Sequence, residues 1–134
     1  MKILFRTSGG SSANRELGTG HIFRTINLSK QFKNDEKIFL VEDYGGIKQI
    51  FQNNNISNIK FLKPGLSIKE DYENTLKIIK KEKIDLIIID KIYTSKIYLK
   101  KLTKEIFTTY IADQFDYEFP TNIVVNGFIG LKNE

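Results

Sequence analysis

Six residues in the middle of the chain restrict the fold more than any others. Asp85-Leu86-Ile87-Ile88-Ile89-Asp90 is the most hydrophobic run in the sequence, and it is apolar at successive positions, not alternate ones. Neighbouring residues of a strand point to opposite faces. A strand apolar on both faces must therefore be covered on both, as a central strand of a parallel sheet flanked by helices is.

The rest of the chain supplies the pieces such a sheet needs. Lys2 to Arg6, Lys37 to Glu42, Asn58 to Leu62, Ile106 to Ile111 and Asn122 to Val125 read as further strands. Helical spacing falls between them. It runs from His21 to about Phe32, with Ile22, Ile26 and Ser29 on one line, and again around Ile47 to Gln52. Ser67-Ile68-Lys69-Glu70 is a capping-box pattern opening a helix to about Lys83, and Thr94 or Ser95 caps one carrying Ile97, Tyr98 and Leu102. This alternation predicts an α/β fold, a Rossmann-like parallel sheet of about six strands with helices on both faces. The 134 residues suffice for a single domain spanning 1–134.

Composition removes several functional classes. There is no cysteine and one histidine, so disulfides, thiolate sites and multi-histidine metal sites are excluded, and no metal is expected. The formal charge of +5 invites a nucleic-acid reading, but only Arg6, Arg15 and Arg24 among the 21 basic residues are arginine. The lysines are scattered along helix faces, so no nucleic-acid partner is expected. The N-terminus lacks the apolar core of a signal peptide and no run approaches a membrane span. A cytoplasmic protein with no transmembrane segment is the expectation.

In such a sheet a ligand sits beyond the C-terminal strand ends where strand order reverses, between the first and fourth strands. There the sequence places the Thr7 to His21 loop with Ser8, Gly9, Gly10, Gly18 and Gly20, then Asp90 to Tyr93, then Asp113. Carboxylates in these positions either act directly or cap the next helix. His21 opens a helix, whose N-terminus attracts anions, and Arg24 lies three residues on, projecting from the same side. A dinucleotide fingerprint fails because Phe23 holds the third glycine position, and no Gly-Lys-Ser/Thr follows the loop as a P-loop requires.

Phe5-Arg6-Thr7-Ser8-Gly9-Gly10 followed by Gly18-Thr19-Gly20-His21-Ile22-Phe23-Arg24 resembles the N-terminal signature of the UDP-sugar hydrolases of pseudaminic acid biosynthesis. It equally resembles the related spore-coat-polysaccharide-type predicted glycosyltransferases. Asp85 to Asp90 and Ile123-Val124-Val125-Asn126 fit later pieces of the same pattern, so the resemblance covers nearly the whole chain. That family is similar to the two-domain GT-B glycosyltransferases, including the enzyme adding N-acetylglucosamine to the lipid-linked peptidoglycan precursor.

The resemblance implies that this chain is the N-terminal, catalytic-base half of an enzyme acting on a UDP-linked deoxy-acetamido sugar in surface polysaccharide or nonulosonic acid synthesis. It makes His21 the general base that activates water at the anomeric carbon, expelling UDP with neither metal nor cofactor. The helix end and the Arg24 cation both work against a second proton on the ring. Catalysis is thereby assigned to His21, Asp90 and Tyr93, and substrate binding to Arg6, Ser8, Gly9, Gly10, Gly18, Gly20, Arg24 and Asp113. Hydrolases of the family carry Asp-His-Tyr after the central strand, whereas Asp90-Lys91-Ile92-Tyr93 sets the tyrosine one position later. Tyr93 either substitutes there or is a surface aromatic. The family's second, nucleotide-gripping Rossmann-like domain is expected as a partner, in cis or as a separate subunit, because the 134 residues stop where it should begin. Two alternatives are glycosyl transfer, with an acceptor hydroxyl in place of water, and a non-catalytic binding or assembly module.

Overall fold

The structure, a computed structural model, describes residues 1–11, 16–92, 94–113 and 118–126. Its elements run β1 (Lys2–Thr7), β2 (Gly10–Ser11), β3 (Glu16–Gly18), α1 (Gly20–Ser29), β4 (Glu36–Glu42), α2 (Ile47–Asn53), β5 (Ile59–Leu62) and α3 (Ile68–Glu82). They continue with β6 (Leu86–Asp90), α4 (Lys96–Glu105), β7 (Phe107–Ala112) and β8 (Ile123–Asn126). Six strands form one sheet in the order β5-β4-β1-β6-β7-β8, with every pairing parallel.

The expected central run is β6, paired on one side with β1 and on the other with β7. Its side chains divide by parity. Ile87 and Ile89 enter one apolar layer with Leu4, Leu40, Ile79, Leu99 and Leu102, under α3 and α4. Ile88 enters the other with Ile3, Phe5, Ile22, Ile26 and Phe51, under α1 and α2. Burying one such side chain contributes about 1.5–3 kcal/mol, so these two layers dominate the stability of the fold.

Helix ends obey local chemistry. Ser67 Oγ accepts from the Glu70 N–H at 3.1 Å while Glu70 Oε1 accepts from the Ser67 N–H at 3.1 Å, completing the capping box. Of the two candidates for capping α4, Ser95 does so, accepting from the N–H groups of Ile97 and Tyr98. α1 differs: Thr19 makes no side-chain cap bond and no acidic residue lies in its first turn.

The Thr7 to Gly20 segment, expected to lack regular structure, contains a two-stranded antiparallel piece, with Gly10 opposite Gly18. Both glycines have positive φ, +103° and +74°, a backbone conformation that favours glycine.

The far end of the sheet is open. β8 is an edge strand with Ile123, Val124 and Val125 all exposed. On the α1 side, Leu28 and Phe32 join Ile88, Phe107, Ile111 and Val125 around an apolar groove. Among the described residues, no helix is long and apolar enough to cross a membrane.

Candidate functional site

Strand order reverses between β1 and β6, where the chain turns from the β4-β5 half of the sheet to the β7-β8 half. Register puts Thr7 opposite Asp90 at the C-terminal ends of these strands. Two loops leave there. They are tied together, since Ser8 Oγ accepts from the Ile92 N–H at 2.9 Å.

Asp90 follows the parity of Ile88 and so turns to the α1 face, where the first turn of α1 presents His21 and Arg24. It is wholly buried and takes three hydrogen bonds: His21 Nδ1 to Oδ1 at 2.5 Å, Arg24 Nε to Oδ2 at 2.6 Å and Arg24 Nη2 to Oδ1 at 2.6 Å. Burial alone would raise the Asp90 carboxyl, but the bonds from Arg24 and His21 outweigh it and hold the group below the ordinary aspartate value. A carboxylate can only accept, so Nδ1 must carry a proton. In a singly protonated ring the free lone pair is then on Nε2.

Nε2 faces the loop after β7. There Asp113 Oδ2 lies 3.4 Å away, while its Oδ1 accepts from Arg24 Nη2 at 3.1 Å. His21 keeps 16% of its side-chain surface and Asp113 keeps 44%, so the ring sits at the mouth of the cluster and not within the core. The sequence reading weighed only the helix end and Arg24 around this ring. The structure adds a carboxylate at each nitrogen and commits Arg24, expected to contact substrate, to Asp90 and Asp113 through two of its nitrogens. Asp90 is not the cap of the helix that follows it, since Ser95 caps α4.

Arg6 departs most from expectation. Its side chain alternates to the opposite face of β1 and is fully buried, with Nη2 2.7 Å from Asp71 and 2.9 Å from Glu42, and Nη1 donating to the Thr7 carbonyl at 2.7 Å. A group with no exposed surface cannot meet a substrate; Arg6 instead braces the strand end from below. Burial would raise the Asp71 carboxyl, but the Arg6 charge and hydrogen bond hold it low. Beside this group, burial first and then repulsion from Arg6 lower the Lys91 ammonium below its ordinary value. Neither Asp71 nor Glu42 stood out in the sequence. Only the β4 and α3 ends meeting over β1 bring them to Arg6.

The glycines separate by role. A Cβ at Gly9 would lie 2.7 Å from both the Gly18 carbonyl oxygen and Ile22 Cδ1, so close packing within the chain accounts for that glycine, and Gly10 likewise abuts the Gly45 carbonyl. Gly18 is accounted for by its φ. At Gly20 a Cβ would meet nothing within 4 Å among the described residues, and φ is not positive, so nothing among them calls for glycine there. Tyr93 lies outside the described residues. Among the described residues no three histidine, aspartate or glutamate side chains are grouped to hold a metal ion.

This architecture has a solved counterpart. The structure of MurG from Acinetobacter baumannii matches over 100% of this chain, with a TM-score of 0.67 and 14% sequence identity. What the two share is the fold, a Rossmann-like parallel sheet with helices on both faces. The chain spans 43% of the MurG chain, so more than half of that neighbour has no counterpart here. No family model matches the sequence, and no curated protein matches it.

Proposed function

We propose that this domain supplies the general base for displacement at the anomeric carbon of a UDP-linked deoxy-acetamido sugar, with water as the nucleophile. The observation that carries the reading is the held imidazole: Asp90 fixes Nδ1 while Nε2 faces the exposed Asp113 at the switch point of the sheet. A base needs a fixed tautomer and a free lone pair directed at the reacting proton. The water oxygen attacks the anomeric carbon, the bond to the diphosphate oxygen breaks with its electron pair, and Nε2 takes a water proton.

The start of α1 supports an oxygen-rich ligand beside that base. The Thr19 side chain does not cap its leading N–H groups, and among the described residues nothing stands within 4 Å of a Cβ built at Gly20. Ser8, Gly9, Gly10 and Gly18 shape the loop around this end. The nucleotide is gripped by a second Rossmann-like body, in cis or as a separate subunit. Tyr93 is assigned to this site by the family resemblance alone. Glycosyl transfer to an acceptor hydroxyl is the second reading, favoured by the fold shared with MurG.

The test uses the whole protein with UDP-N-acetylglucosamine, following free sugar by NMR. His21→Ala is expected to lower turnover about 10²- to 10⁴-fold. A His21→Ala protein of unchanged rate would sink the reading.

A further inference from the structure

We infer that Asp113 is a second hydrogen-bond acceptor for the nucleophile, and that it selects water over an alcohol. This rests on the general-base role of His21 given above and goes past it to the identity of the attacking group.

Two acceptors face each other at the mouth of the cluster. Asp90 requires the proton on Nδ1, so the singly protonated ring presents a lone pair at Nε2, and 3.4 Å away stands Asp113 Oδ2. Arg24 Nη2 holds the other oxygen, Oδ1, at 3.1 Å, which turns Oδ2 toward the ring. Two lone pairs at this distance repel unless hydrogen lies between them. A single oxygen placed about 2.8 Å from each satisfies both with modestly bent hydrogen bonds.

Water can fill that position because it has two O–H bonds, one for each acceptor. An alcohol has one. Bound there, it reaches the base or the carboxylate but not both, and so makes one fewer hydrogen bond than water does. During attack, one water proton passes to Nε2. The other stays on the oxygen, which becomes the new hydroxyl of the sugar, and remains hydrogen-bonded to Asp113. The pair of electrons from the broken carbon–oxygen bond leaves on the diphosphate. Asp113 gains no proton; its role is to orient the nucleophile.

The experiment gives the whole protein UDP-N-acetylglucosamine in water containing methanol and separates free sugar from methyl glycoside by NMR. The wild type is expected to yield mainly free sugar. Asp113→Ala should slow free-sugar formation about tenfold, the effect of one lost hydrogen bond to a charged acceptor. It should also raise the ratio of glycoside to free sugar at least fivefold, a shift that a purely structural role would not produce. Asp113→Asn, which puts an amide donor within reach of Nε2, is expected to behave like the alanine variant. If His21→Ala abolishes both products while Asp113→Ala leaves their ratio unchanged, the Asp113 inference is overturned and the base assignment survives. If the wild type forms neither product, or His21→Ala still forms both, the base assignment itself fails and this inference goes with it. A second readout needs no turnover. The chain has one histidine, so its imidazole ¹⁵N spectrum reports His21 alone in the isolated domain. A proton on Nδ1 and none on Nε2 at pH 8 supports the bridging position; a proton on Nε2 overturns it.

Discussion

Two charged clusters sit at the same end of the sheet, one beneath it and one above, and they are built from the same parts. Arg6 with Asp71 and Glu42 lies under β1 on the α3 side; Arg24 with Asp90 and Asp113 lies on the α1 side. The lower arginine has no exposed surface, whereas the upper one keeps 39% of its side chain in contact with solvent. Only the upper cluster contains an imidazole, His21, with a nitrogen directed toward the exposed side. Ion pairing at a strand end therefore says nothing about function until exposure and the presence of an unsatisfied reactive atom are considered.

The contrast can be broken first by stability. Asp71→Ala removes the nearer of the two carboxylates on the buried Arg6, leaving Glu42, and is expected to cost about 3 kcal/mol. Asp113→Ala removes an exposed partner of a half-exposed arginine and is expected to cost less than about 1 kcal/mol. Urea unfolding of the two variants measures both, and equal losses would erase the distinction between bracing and working clusters.

A second test uses acid. Asp71 and Asp90 are both held below the ordinary aspartate value of about 3.9. A depressed carboxyl stabilises the fold above that value, and the contribution disappears as pH falls through the lower folded-state values. Unfolding midpoints should thus be flat from about pH 7 to 5 and drop steeply below pH 4. Asp71→Asn should already be less stable at neutral pH and show a shallower acid limb, by about 1–2 kcal/mol between pH 5 and 2.5. A variant with the wild-type slope would mean that Asp71 titrates as though free.

The smallest effects sharpen the comparison at the helix ends. Ser67→Ala and Ser95→Ala should each cost about 1 kcal/mol, because each removes an observed cap. Thr19→Ala should cost a few tenths at most, since no side-chain cap bond is lost. A Thr19→Ala loss comparable to the serine variants would show that α1 is capped after all, and the open helix end would lose its significance.

Much of this fold could be read directly from the residues. Ile87, Ile88 and Ile89 marked the central strand because nothing else tolerates apolar side chains on both faces, and the Ser67 and Glu70 spacing fixed the start of α3 to the residue. The gathering of His21, Arg24, Asp90 and Asp113 at one strand end was also legible, from their positions after strands or at the start of a helix. What stayed hidden depends on partners distant in sequence. Arg6 and Arg24 are the same residue type near the same loop, and only pleat parity sends one into the interior beside Asp71, 65 residues away. Nothing local told the glycines apart either: Gly9 is crowded by Ile22 and Gly18, while Gly20 faces open space.

The exposed apolar side chains of Phe107 and β8 have a calorimetric consequence. Hydrocarbon that already touches water in the native molecule is not newly hydrated when the chain melts, and newly hydrated hydrocarbon is the source of the heat-capacity increment. Scanning calorimetry of this domain should therefore return an increment below the usual 12–15 cal/mol/K per residue, roughly, for a domain of its length. A molecule lying across Phe107 and Val125 would restore the deficit, so the same scan reads out coverage of those side chains without any knowledge of what covers them.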